Sequence, residues 1–168
     1  MTEARHLVCA PAMSWAQRLL GVGSIDVAAE VRKDVAEVHR RLTMQAHRIR
    51  ASAALAPNVA AESDLRALAA EDEALAAELK PHLPAGWPGR VAETDGAAGD
   101  IGPSHWARVV DVLQRHRDSQ EALIAAAARL REIAPSVADL CTRLARAEEG
   151  HLERLRHLVA RADPQALD

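Results

Sequence analysis

The sequence predicts an all-α fold: an antiparallel four-helix bundle made of two helical hairpins joined by a long crossover loop. Three observations lead there. Ala, Leu, Arg and Glu dominate a composition that is 49% hydrophobic but only 2% aromatic, so the core must come from small aliphatic helix formers. Apolar residues recur at helical spacing through four long stretches, and no stretch alternates with the period of two that a half-buried strand requires. Prolines and glycines separate those stretches at two short breaks and one long one.

Taken in order, residues 1–23 form an N-terminal arm or short helix around Trp15 to Leu20. The bundle occupies 24–163. Ser24 or Asp26 can cap α1, about 24–55, and Pro57-Asn58 turns the chain into α2, about 59–80. From Pro81 to Pro103 the chain holds four Pro and five Gly around Trp87, a stretch with no periodicity, read as the crossover loop. Ser104 caps α3, about 105–132, and Pro135-Ser136 makes a short turn before α4, about 136–163. Short turns join antiparallel neighbours, whereas a link of this length can run the full height of a bundle. An up-down-up-down bundle with a loop folded back locally is the alternative topology, and loop length alone does not choose between them.

Stepping 100° per residue gives each helix an inward stripe. In α1 it is Val27, Val31, Val35, Val38, Leu42, Ala46 and Ile49, with Asp34 and His39 flanking. In α2 it is Ala61, Leu65, Leu68, Leu75 and Leu79, with Asp72 in its middle and Glu71 at its edge. In α3 it is Trp106, Val109, Val110, Leu113, Leu123, Ile124 and Ala127, and the same face carries His116 and Gln120 with Arg117 close by. In α4 it is Val137, Leu140, Cys141, Leu144, Leu155 and Leu158, with Glu148 and His151 inside it. His39, His47, His82, His105 and His157 read as surface or helix-end histidines.

Glu148-Glu149-Gly150-His151 is the one segment that hints at chemistry. A carboxylate and an imidazole three residues apart lie about 60° apart around a helix, so both can address one atom between helices. Burial of such a pair has to be offset, and a metal ion is one way to do it. Height allows a larger set. His116 precedes the α3–α4 turn by about sixteen residues and Glu148 and His151 follow it by about thirteen to sixteen, so at ~1.5 Å rise per residue they share a level. Asp72 stands about fourteen residues past the α1–α2 turn, which brings it to mid-bundle as well. The α2 and α4 sequences also echo each other, Leu68 to Leu75 aligning with Leu144 to His151 so that Asp72 meets Glu148.

On these residues the chain resembles the ferritin-like superfamily, the rubrerythrin and bacterioferritin class, over residues 24–163. The resemblance implies a duplicated hairpin in which the first helix of each half gives a Glu and the second gives Glu-x-x-His, together binding two irons. Carried over by facing, Val38 stands where α1 should give a carboxylate, Asp72 replaces the bridging Glu of α2 and Leu75 replaces its His. His116 takes the place of a Glu in α3, and only Glu148 and His151 match fully. The resemblance therefore implies a degenerate centre with one metal position lost. Two imidazoles and two carboxylates, His116, His151, Asp72 and Glu148, suit a single Fe, Zn or Mn ion in a bundle of oxidoreductase or iron-handling type.

The competing reading needs no ion. Glu148 and His151 then hydrogen-bond to Arg117 or His116, Asp72 sits at a rim, Glu71-Asp72-Glu73 is a solvated run, and the bundle is a structural or protein-interaction module. Either reading suits a homo-oligomer. The net charge of −3, with acids and bases interspersed, gives no support to a nucleic-acid partner. No segment reads as a signal peptide or a membrane span, and Cys9 and Cys141 read as free thiols, so a cytoplasmic protein is expected.

Overall fold

A computed structural model describes residues 27–84, 86–87 and 103–163 of the chain. The expected N-terminal arm, the α1 cap, Cys9 and most of the expected crossover loop lie outside these residues. Among the described residues there are four α-helices and no strand: α1 (Val27–Ala54), α2 (Val59–Leu79), α3 (His105–Leu130) and α4 (Pro135–Ala162). A single 3₁₀ turn, Lys80–His82, extends α2.

Local chemistry sets the boundaries. The Asn58 side chain accepts a hydrogen bond from the Ala61 amide at 2.9 Å, and Ser104 Oγ accepts one from the Ala107 amide at 3.1 Å, each satisfying one of the free amides that open a helix. Pro135 stands inside α4 rather than in the turn before it. Its missing N–H costs nothing in the first turn, where amides have no helical partner. Pro81 falls in the 3₁₀ turn, and Gly86, with φ +77°, supplies a backbone conformation that side chains disfavour.

The four helices pack as a bundle. α3 and α4 make the most extensive contact, followed by α1 with α2 and then α1 with α3, and α2 with α4 is the sparsest of the four seams. Ion pairs line that last seam: Glu71 with Arg154, Glu78 with Arg143 and Asp64 with Arg161. On the α1–α3 side, Asp34 pairs with Arg129 at 2.7 Å and Arg108 donates to the Leu55 carbonyl at 2.7 Å.

The core divides into two aliphatic clusters. One contains Val35, Val38, Leu42, Leu79, Leu123, Leu130 and Leu144, with Leu75 packed against it. The other contains Ile49, Leu65, Leu68, Val109, Val112, Leu152 and Leu155. Removing each such leucine from water contributes about 1.5–3 kcal/mol. What separates the clusters is a layer of buried polar side chains: Gln45, Asp72, His116, Ser119, Glu148 and His151.

The stripes depart from expectation in a consistent way. Trp106 and Ile124 are exposed and Val110 is half-buried, while Val112, Ser119 and Ala126 lie inside. The buried residues of α3 include a run at 109, 112, 116, 119, 123, 126 and 130, alternating steps of three and four, with the expected Leu113 and Ala127 buried beside it. A strict seven-residue repeat drifts by about 20° per heptad from ideal 100° stepping, so over the length of α3 the stripe rotates away from the expected face. His39 corrects the same way: it is buried rather than superficial, and burial, helped by Lys80, holds its imidazole below its ordinary pKa.

Candidate metal centre

The polar layer takes at least one side chain from every helix. Asp72, His116 and Glu148 are fully buried and His151 is 4% exposed. One ligand atom from each of these four lies within 4.8 Å of all the others. Asp72 is thus inside the bundle, not at a rim, and Glu71-Asp72-Glu73 is not a solvated run, because its middle residue points into the core. Arg117, expected as a possible partner for Glu148, is exposed. Gln120 is half-buried and donates weakly to the Ala145 carbonyl at 3.4 Å, apart from the four.

Each imidazole is held by one nitrogen and leaves the other facing the acids. His116 Nδ1 lies 2.9 Å from the Val112 carbonyl, one turn back on the same helix. A carbonyl only accepts, so Nδ1 carries the proton and Nε2 turns a lone pair toward Asp72 at 3.5 Å and Glu148 at 3.9 Å. His151 repeats the arrangement with its nitrogens exchanged. Nε2 lies 3.0 Å from the Glu71 carboxylate, and Nδ1 faces Asp72 at 3.0 Å and Glu148 at 3.9 Å. Arg154 grips both oxygens of Glu71, and that hydrogen-bonded partner holds the Glu71 carboxyl below its ordinary pKa. Two imidazoles meet edge to face here, ring centres 5.7 Å apart.

The result is a set of facing acceptors. Asp72 Oδ1, His116 Nε2 and His151 Nδ1 are all buried and have no hydrogen-bond partner among the described residues. The 3.0 Å approach of His151 Nδ1 to Asp72 is close but not aligned as a hydrogen bond. Buried polar atoms are nearly always paired, so three orphans converging on one point need an explanation. A carboxylate anchoring the far nitrogen of a ligating histidine is the usual outer support of a metal site, and Glu71 and the Val112 carbonyl stand in that relation to His151 and His116.

The two inner acids differ. Burial raises the Asp72 carboxyl, but when the facing nitrogens of His116 and His151 carry protons they donate to it and, with Gln45, more than offset burial, so its pKa lies below the ordinary value. For Glu148, burial and then the negative charge of Asp72 act together, and its carboxyl is pushed up to about 9. Metal-free, the layer holds one ionised and one protonated acid.

Sequence reasoning finds the four candidates and misses their supports. Gln45 Nε2 donates to Asp72 Oδ2 at 2.9 Å and lies 3.4 Å from both Glu148 oxygens, while its Oε1 accepts from Ser119 Oγ at 2.7 Å. Gln45, not Val38, is what α1 brings to the layer; Val38 packs in the aliphatic cluster beyond. A signal for it exists in the chain: 38, 42, 45 and 49 continue one heptad seam, as do 112, 116, 119 and 123.

Comparison with known proteins adds no relative. No family model matches the chain, and no curated protein or solved structure matches it. Function must therefore be read from the layer itself. Cys141 is buried and free, with burial and Asp34 pushing its thiol up to about 11, which leaves it unreactive at neutral pH. Among the described residues, no helix is long and apolar enough to cross a membrane.

Proposed function

We propose that this chain is a ferritin-like antiparallel bundle that holds one Fe, Zn or Mn ion through Asp72, His116, Glu148 and His151. The observation that carries the reading is the convergence of three buried, unpaired acceptors, with the opposite nitrogen of each imidazole already engaged. Ligand edges of a four-coordinate ion with ~2.1 Å bonds are about 3.4 Å, close to the 3.5 and 3.9 Å separations of His116 from the two acids. Two imidazoles and two carboxylates suit any of the three ions, and iron or manganese would keep positions for water or dioxygen. An oxidoreductase or iron-handling role follows from that chemistry.

The crossover topology belongs to the same proposal. Its support is that α1 packs on α3, that Asp34 near the start of α1 meets Arg129 near the end of α3, and that Arg108 near the start of α3 meets Leu55. Across the other seam, 64 pairs with 161, 71 with 154 and 78 with 143, a descending register. A cytoplasmic homo-oligomer without a nucleic-acid partner completes the reading.

One observation favours the alternative, a metal-free structural or protein-interaction bundle. With Glu148 protonated, the layer carries a single negative charge on Asp72, to which Gln45 donates. Elemental analysis of protein purified without chelator separates the two. About one ion per chain, lost in a Glu148→Ala/His151→Ala variant that still shows a helical spectrum, is expected; substoichiometric metal unchanged by that variant would sink the metal reading.

A further inference from the structure

On the α1–α3 side, a cavity of about 150 Å³ opens at the surface against the outside of the polar layer. Gln45 and Ser119 line it, and at 3% and 5% exposed they form its floor. Gln45 is consequently a partition one side chain thick, its amide donating to Asp72 on the inner side. Arg40, Arg41, Arg48 and Arg115 make the walls, against a single lining carboxylate, Asp118.

The arginines are only loosely committed. Glu37 takes hydrogen bonds from Arg40 and Arg41, and Asp111 takes one from Arg115 at 2.8 Å. All of these are pairs within one helix, between side chains about 35–42% exposed, and such pairs contribute only about 0.2–0.5 kcal/mol each. Arg48 makes no ion pair among the described residues. Three wall guanidiniums can therefore turn to a ligand at small cost, and the fourth has nothing to give up.

We propose that this cavity binds a small oxyanion, a carboxylate or a phosphate. Guanidinium forks match the paired oxygens of both groups, while the Ser119 hydroxyl at the floor already donates to Gln45 Oε1, so the arginines supply the donors. Asp118 and the partly screening Glu37 and Asp111 keep the net positive charge modest, which fits a ligand of one or two negative charges rather than a polyanion. The site does not depend on an ion in the polar layer.

Calorimetric titration of the full chain, stripped with chelator and then freed of it, tests this at low ionic strength. Inorganic phosphate and succinate serve as separate probes, and their relative affinity says which oxyanion the site prefers. Saturable one-site binding of at least one probe is expected, weakened about tenfold in Arg48→Ala and unchanged in Arg156→Ala, an exposed arginine on α4. Arg115→Ala provides a second wall variant. No saturable binding of either probe at millimolar concentration overturns the proposal, as does binding that Arg48→Ala and Arg115→Ala both leave intact, or that Arg156→Ala weakens equally. Because the protein is metal-free throughout, the result is independent of whether Asp72, His116, Glu148 and His151 take an ion.

Discussion

The polar layer and the aliphatic clusters on either side of it are built from the same heptad seams, yet they are satisfied in different ways. In the clusters, Leu42, Leu123 and Leu144 need only close contact, and packing supplies it. In the layer, Gln45 and Ser119 find partners while Asp72 Oδ1, His116 Nε2 and His151 Nδ1 do not. The clusters are satisfied by packing alone, whereas the layer leaves three buried polar atoms unpaired among the described residues.

The largest difference should appear with pH. Glu148 stands at about 9 in the fold against an ordinary 4.5, so the folded chain keeps a proton that the unfolded chain releases. Its contribution to metal-free stability is full below about pH 4.5 and is lost as pH rises toward 9. Asp72, shifted the other way, loses its contribution only as pH falls below its ordinary 3.8. A metal needs the Glu148 carboxylate, so added metal should stabilise more strongly as pH rises through the same window. Urea titrations at several pH values, with and without metal, read both trends; parallel curves would show that the layer takes no ion.

Truncation in a cluster comes next. Leu144→Ala should cost about 2–5 kcal/mol of unfolding free energy while the folded fraction keeps its metal content. Loss of metal with stability intact would reverse the division between layer and cluster. A smaller effect is expected at the support of His151. Glu71→Ala removes the carboxylate that holds Nε2 and should weaken metal binding by about 10–100-fold with little change in metal-free stability, measured by competition with a chelating dye. The smallest lies beside it at Gly150, where an added Cβ meets nothing within 4 Å. Gly150→Ala should raise stability by about 0.5–1 kcal/mol and leave metal affinity unchanged, showing that helix propensity and layer chemistry are separable even one residue apart.

Much of the layer is legible in the amino-acid sequence. Asp72, His116, Glu148 and His151 stand out because a charged or titratable residue inside an aliphatic stripe is conspicuous, and counting residues from the turns puts them at one height. Gln45 and Ser119 escape because they are neutral and sit where 100° stepping has already drifted off the seam, the same drift that misplaces Trp106 and Ile124. Glu71 escapes for another reason. Its importance comes from Arg154 and His151 on a different helix, and no property of the α2 sequence announces a partner 83 residues away. The resemblance to di-iron bundles draws attention to Val38, whereas the distances assign the α1 position in the layer to Gln45.

The seam between α2 and α4 has a consequence of its own. This is the sparsest of the four seams, and Glu71, Glu78 and Asp64 reach across it to Arg154, Arg143 and Arg161, all substantially exposed. Dissolved electrolyte competes with such pairs and leaves buried leucines untouched. This flank is the molecule's soft side, and its stiffness is set by the surrounding medium as much as by the chain. Glu71 also stands 3.0 Å from His151 Nε2, so added salt that loosens Glu71 from Arg154 is expected to loosen the outer support of that imidazole as well.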